Sequence, residues 1–197
     1  MYRIRKLITL FWYKLFTKKL GSRAVIYRPF KFSFKYIEVG NNFYLGPHAR
    51  LEAITRYNAA VFRPCVLIGD QVSIEQGLHL TCAGSIEIGS GSALAAYVSI
   101  TDIAHGHEDI SLPPEKQDIQ VSPVRIGQNC KIYNNVVILP GVMLGKHTIV
   151  GSNSVVRKGT YPDYCILVGS PAYIVKRYCF ERKGWFKTNK KGEFLST

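Results

Sequence analysis

The 197-residue chain is short of acidic residues, has no paired cysteine motif and has no long apolar run. Each shortage closes off a class of protein. Asp and Glu number 13 against 26 Lys and Arg, so the formal net charge is +13. The five cysteines (Cys65, Cys82, Cys130, Cys165, Cys179) are odd in number and include no CxxC pair. That argues against a disulfide framework or a zinc site and fits a reducing cytoplasm. Several are expected to act as small buried apolar residues. Near the start, the uncharged run Leu7–Tyr13 falls far short of the roughly 20 apolar residues that span a bilayer. With no continuous apolar region and no small-residue cleavage site, this stretch is not read as a signal peptide.

The charge that is present is unevenly placed. Residues 1–20 carry six bases and no acid, and residues 173–197 carry seven bases and two acids, which leaves only +2 for residues 21–172. The charge therefore belongs to the ends. Solubilising tails, an anionic membrane surface, an anionic glycan or nucleic acid would each suit it. Nucleic acid is not the expected partner, because the aromatics cluster with apolar residues instead of interleaving along a basic face. Ile4, Leu7, Ile8, Phe11, Leu15 and Phe16 fit one face of a helix, with Lys14 and Lys18 elsewhere and Trp12 and Tyr13 suited to a membrane interface. Such a basic amphipathic helix lies in a membrane interface or caps an apolar end of the fold, and the two roles are compatible.

The middle of the chain repeats with a period of six. Ile126, Ile132, Ile138, Leu144, Val150 and Val156 are six apart. The same step links Val39, Leu45 and Leu51; Ile68, Ile74 and Leu80; and Ile88, Leu94 and Ile100. Gly follows the aliphatic at 40, 46, 69, 89, 127, 145 and 151. A helix repeats near 3.6 residues and a strand near 2, so this period belongs to neither alone. It fits a parallel β-helix: each hexapeptide is a short strand and a turn, and three close a triangular coil. The aliphatic points inward, and Gly relieves crowding where the chain turns. No coil buries its interior alone, so neighbouring coils share the stability. The hexapeptides found make about five coils over residues 37–161. Residues 1–36 form a basic amphipathic or capping segment, and residues 162–197 form a C-terminal helix and basic tail. A β-sandwich also alternates apolar residues, but it would not hold this register over six consecutive hexapeptides.

The run "IGQNCKIYNNVVILPGVMLGKHTIVGSNSVVRKGTYPDYCILVGSPAYIVKRY" resembles the hexapeptide-repeat acyltransferases, in the branch that O-acetylates sugars of lipopolysaccharide and capsule. Maltose, galactoside and xenobiotic acetyltransferases are relatives of that branch. The resemblance spans about residues 37–185, with "ILPGVMLG" and "VGSPAYIVK" its specific segments. It implies a left-handed parallel β-helix, acetyl-CoA as co-substrate, no metal, and a homotrimer with active sites between subunits. It also implies a sugar or glycan acceptor and a cytoplasmic location, at most peripheral to the inner membrane through residues 1–20.

Two stretches break the repeat: "YNAAVFRPC" (57–65) and the longer, polar loop 105–124. A long loop in a tightly wound repeat is usually functional. The resembling family carries a catalytic histidine here, in segments of the D-H-x-H-G type. "DIAHG" keeps Asp102, His105 and Gly106, with Ile103 where the first histidine would stand. His105 is the expected general base and His107 the reserve. Asp102, Glu108 or Asp109 would hold the second ring nitrogen. His48, His79 and His147 fall within repeats and read as surface or interface residues. By alignment with the family, Asn134 and Ser152 would meet the pantetheine arm, and Arg157 and Lys158 the phosphates, with Lys176 a weaker candidate. The family's W-I-G is "KIY" here (Lys131–Tyr133), so the acceptor pocket differs. Rival readings are an N-acetyltransferase on an amino sugar and a γ-type carbonic anhydrase with zinc on His79, His105 and His107.

Overall fold

The computed structural model describes residues 13–195. The chain winds as a three-sided prism with three parallel faces. The first face stacks Lys19–Leu20, Ile37–Val39, Cys65–Ile68, Ser85–Ile88, Val124–Ile126, Val142–Leu144 and Gly159–Tyr161. The second stacks Val25–Ile26, Tyr44–Leu45, Ser73–Ile74, Ala93–Leu94, Lys131–Ile132, Ile149–Val150 and Cys165–Gly169. The third stacks Lys31–Phe32, Arg50–Ala53, His79–Cys82, Ser99–Thr101, Val137–Ile138 and Val155–Val156.

The six-residue step sets this register. Val39, Ile68, Ile88, Ile126 and Leu144 are partners in successive coils of the first face. Leu45, Ile74, Leu94, Ile132 and Val150 form the matching rung of the second face. Leu51, Leu80, Ile100, Ile138 and Val156 form that of the third. All of these are buried.

Two different requirements shape the turns. The residue just after the rung lies where successive coils almost touch: a Cβ on Gly127 would stand 2.6 Å from the carbonyl carbon of Gly145. The third residue after the rung adopts a left-handed conformation, as at Asn42, Gln71, Asn129, Asn135 and Asn153. Asn tolerates that region better than most residues, because its short polar side chain bonds locally. The frequent asparagine of the turns thus has a conformational origin.

The prism is longer than 37–161. A coil at Lys19–Phe32 precedes it, with Leu20, Ile26 and Phe32 on the rungs. Its register is offset by one residue, absorbed in the 3-10 turn Phe34–Tyr36, and a strict count of six passes over it. Of the expected N-terminal helix, residues 13–16 are described; Ile4, Leu7, Ile8, Phe11 and Trp12 lie outside the described residues. Tyr13 packs on the core beside Phe34, ring centroids 5.2 Å apart.

The expected C-terminal helix is a β-hairpin. Ala172–Cys179 pairs antiparallel with Cys165–Gly169, and Gly184–Lys187 pairs antiparallel with Ala172–Cys179. "AYIVKRYC" is rich in β-branched and aromatic residues, and the last strand of the second face would otherwise present an unpaired backbone edge.

Candidate active site

Both breaks in the repeat leave from one edge of the prism, between the third and first faces. The first follows Arg50–Ala53 and forms a small hairpin, Arg56–Tyr57 with Ala60–Val61. The second follows Ser99–Thr101, two coils further on, and opens as a hairpin of Ile103–His105 with Ile119–Val121. The intervening coil turns the same edge tightly at Ala83 and Gly84. Coils stack about 4.8 Å apart, so the two excursions lie close enough to touch.

They meet at His105. Its Nδ1 lies 3.2 Å from the Tyr57 hydroxyl, and the two rings meet edge-on with centroids 5.3 Å apart. The Tyr57 hydroxyl donates to the backbone carbonyl of Glu115 at 2.7 Å, and the Glu115 carboxylate oxygen Oε2 stands 3.2 Å away. Partial burial and the Glu115 carboxylate both push the Tyr57 pKa up, which keeps the phenol protonated. A hydroxyl has one proton, and this one is directed at Glu115. Toward His105 it therefore accepts, so Nδ1 carries the imidazole proton and Nε2 keeps its lone pair.

Asp102 does not touch this imidazole. It is fully buried, and its carboxylate accepts from the backbone N–H of Ala83 and of Gly84, each at 2.8 Å. It also accepts from the Cys82 thiol at 3.4 Å. Burial, and then the Asp102 charge, push the Cys82 pKa up, so the thiol stays protonated and donates. Asp102 pins the root of the loop to the coil below. Glu108 accepts from the His107 backbone N–H at 3.0 Å and from Gln120 at 3.2 Å, while Asp109 accepts from Ser111. The His107 ring is exposed and reaches only the His105 carbonyl, at 3.5 Å. None of the three carboxylates proposed from sequence is bonded to the His105 ring. Tyr57 and Glu115 were not foreseen. The signal available was the short break at 57–65, on an edge shared with the long one.

His105 stands at a groove of about 390 Å³ on the third face. His79, Thr81, Ser99 and Thr101 form the floor, and Ile54, Tyr57, Ile103 and Ile119 form the walls. His79, read from sequence as a surface residue, shares this groove. Arg157 and Lys158 are exposed on the same edge as His105, two coils further along. Asn134 and Ser152 are exposed at successive turns of the opposite edge of that face, where the Asn153 N–H donates to the Asn134 carbonyl at 2.9 Å. Lys176 lies on the terminal hairpin, in the sheet of the second face and away from the groove.

Comparison with known proteins agrees with this architecture. The bacterial transferase hexapeptide family (six repeats) matches residues 123–158. A putative lipopolysaccharide biosynthesis O-acetyl transferase of Escherichia coli is 35% identical over 158 residues, covering 77% of this chain and 76% of that protein. A probable acetyltransferase of Mycobacterium tuberculosis is 41% identical over 108 residues, covering 55% of this chain but only 36% of its own length. Among solved structures, AntD, an N-acyltransferase from Bacillus cereus in complex with dTDP and coenzyme A, superposes with a TM-score of 0.71 at 18% identity, covering 87% of this chain and 89% of that one. A maltose O-acetyltransferase from Clostridium difficile gives a TM-score of 0.51 at 24% identity, covering 84% of this chain and 72% of that one. The three-sided winding, the six-residue register and these likenesses agree: the chain is a left-handed β-helix and belongs to the hexapeptide-repeat acyltransferases.

Proposed function

We propose that this acyltransferase moves acetyl from acetyl-CoA to a sugar hydroxyl of lipopolysaccharide or another surface polysaccharide, with His105 as general base. One observation carries the assignment: His105 lines a groove at the long break of the repeat, with its Nδ1 proton held by a tyrosine whose own proton is directed elsewhere. The bare Nε2 takes the proton of the acceptor hydroxyl as its oxygen attacks the thioester carbonyl. The tetrahedral intermediate then expels the thiolate, which recovers that proton from the imidazolium. Tyr57 holds the ring through both transfers. Hydroxyls of Thr81, Ser99 and Thr101 on the groove floor suit a sugar. This general-base assistance is worth roughly 10²–10⁴-fold.

Arg157 and Lys158 suit the phosphates of coenzyme A, and Asn134 and Ser152 its amide-bearing arm, at an interface between protomers of a homotrimer. Lys176 would take part only from a neighbouring protomer. The reaction is assigned to the cytoplasm, peripheral to the inner membrane, where acetyl-CoA meets growing glycan. For the zinc alternative, His79 and His105 share the groove, but no cluster of three potential metal ligands occurs among the described residues.

The test is mass spectrometry of surface glycan from a strain lacking the gene and from the complemented strain. Complementation should restore an acetyl group that mild alkali removes, as an ester. An alkali-resistant acetyl would mean N-acetylation, and unchanged glycan would reject the assignment.

A further inference from the structure

The two ends of the prism are finished differently. The C-terminal end is closed by the antiparallel hairpin, whereas the N-terminal end leaves large apolar groups in solvent. Phe30 is 79% exposed, Leu15 67% and Phe16 58%. All three belong to the terminal coil or to the turn of helix that precedes it. That coil supplies the last strand of each sheet at this end. Each of its three edges bears an exposed base: Arg23, Arg28 and Lys35. Lys18 and Lys31 are committed to Glu38 and Glu52. Arg23, Arg28 and Lys35 form no ion pair among the described residues. No acidic residue precedes Glu38, whereas ten bases do: Arg3, Arg5, Lys6, Lys14, Lys18, Lys19, Arg23, Arg28, Lys31 and Lys35.

We infer that this end of the prism docks on an anionic lipid bilayer. Leu15, Phe16 and Phe30 enter the headgroup region, and Arg23, Arg28 and Lys35 meet lipid phosphates around them. Apolar side chains ringed by Lys and Arg match the chemistry of a membrane interface, which offers an apolar layer beneath a sheet of negative charge. A second copy of the chain is a poor occupant, because it would set ten bases against ten. The proposal deepens the glycan reading without depending on acetyl transfer. Docked end-on, the prism holds the His105 groove three coils from the terminal one, about 15 Å above the lipid surface. That height suits a saccharide attached to a lipid.

The experiment is sedimentation of the full chain with vesicles of phosphatidylcholine alone and of an equal mixture with phosphatidylglycerol. Binding should require phosphatidylglycerol and weaken at high salt. Replacing Leu15, Phe16 and Phe30 together by Ser should lower the partition constant at least about tenfold, as should replacing Arg23, Arg28 and Lys35 together by Glu. Circular dichroism of both variants should match the wild type. The proposal is overturned by equal binding to phosphatidylcholine, by no binding to either vesicle, or by folded variants that bind like wild type, which would assign the contact to residues 1–12. Concentration-dependent self-association abolished by the apolar replacements would also overturn it, in favour of a second copy. None of these readouts uses turnover, so they are independent of the acetyl-transfer assignment.

Discussion

The rungs of the prism and the edge from which its two hairpins leave follow different rules. On the rungs a side chain contributes volume, and its partner is the residue at the same position one coil away, such as Ile132 between Leu94 and Val150. At the excursion edge a side chain contributes a particular atom, and its partner is far along the chain, as with Tyr57 and His105, 48 residues apart. The wall is redundant and periodic; the edge is unique. Substitutions in the wall should therefore act on stability, and substitutions at the edge on turnover.

The largest separation should come from His105→Ala. Turnover should fall roughly 10²–10⁴-fold while the melting temperature stays near that of wild type, and His107→Ala should retain most activity. Steady-state kinetics with glycan extracted from a deletion strain, alongside calorimetry, would measure both. Ile132→Ala should show the opposite pattern. This fully buried rung residue loses contacts inward and toward both neighbouring coils, so about 2–5 kcal/mol of stability should disappear. Turnover per folded molecule should be unchanged, which denaturant titration and active-site counting would verify.

Asp102→Asn sharpens the boundary between the two regions. An amide in place of the carboxylate presents an NH2 to one of the N–H groups of Ala83 and Gly84, leaving a buried donor unpaired at about 1–3 kcal/mol. Asp102 should register as a stability residue although it lies next to the active-site loop. A variant of normal stability with turnover as low as that of His105→Ala would return it to the catalytic machinery. The smallest effect should be that of Tyr57→Phe. One hydrogen bond to the imidazole is worth about 0.5–1.5 kcal/mol, so turnover should drop roughly threefold to tenfold.

The same division explains what the sequence made legible. Leu144, Val150 and Val156 announce the prism, because inward volume recurs in the chain at the period at which it recurs in space. The terminal coil was hidden by a single extra residue before Val39, and the closing hairpin by reading the end of the prism as a helix. His105 could be singled out because it sits at the long break. Its supporting residues could not be: pairing Tyr57 with His105 requires knowing that both breaks leave one edge and that a single tight turn at Ala83 and Gly84 separates them. Asp102 misled for a related reason. Next to histidines in the chain it reads as the third member of a triad, whereas its partners are 18 and 19 residues upstream, one coil below.

The most direct measurement is the nitrogen-15 spectrum of the neutral His105 imidazole, assigned by comparison with His105→Ala. With Tyr57 accepting from Nδ1, the account predicts a proton on Nδ1 and a bare Nε2, and loss of that preference in Tyr57→Phe. A His105 protonated at Nε2 in the wild-type protein would contradict it, since no lone pair would then face the acceptor.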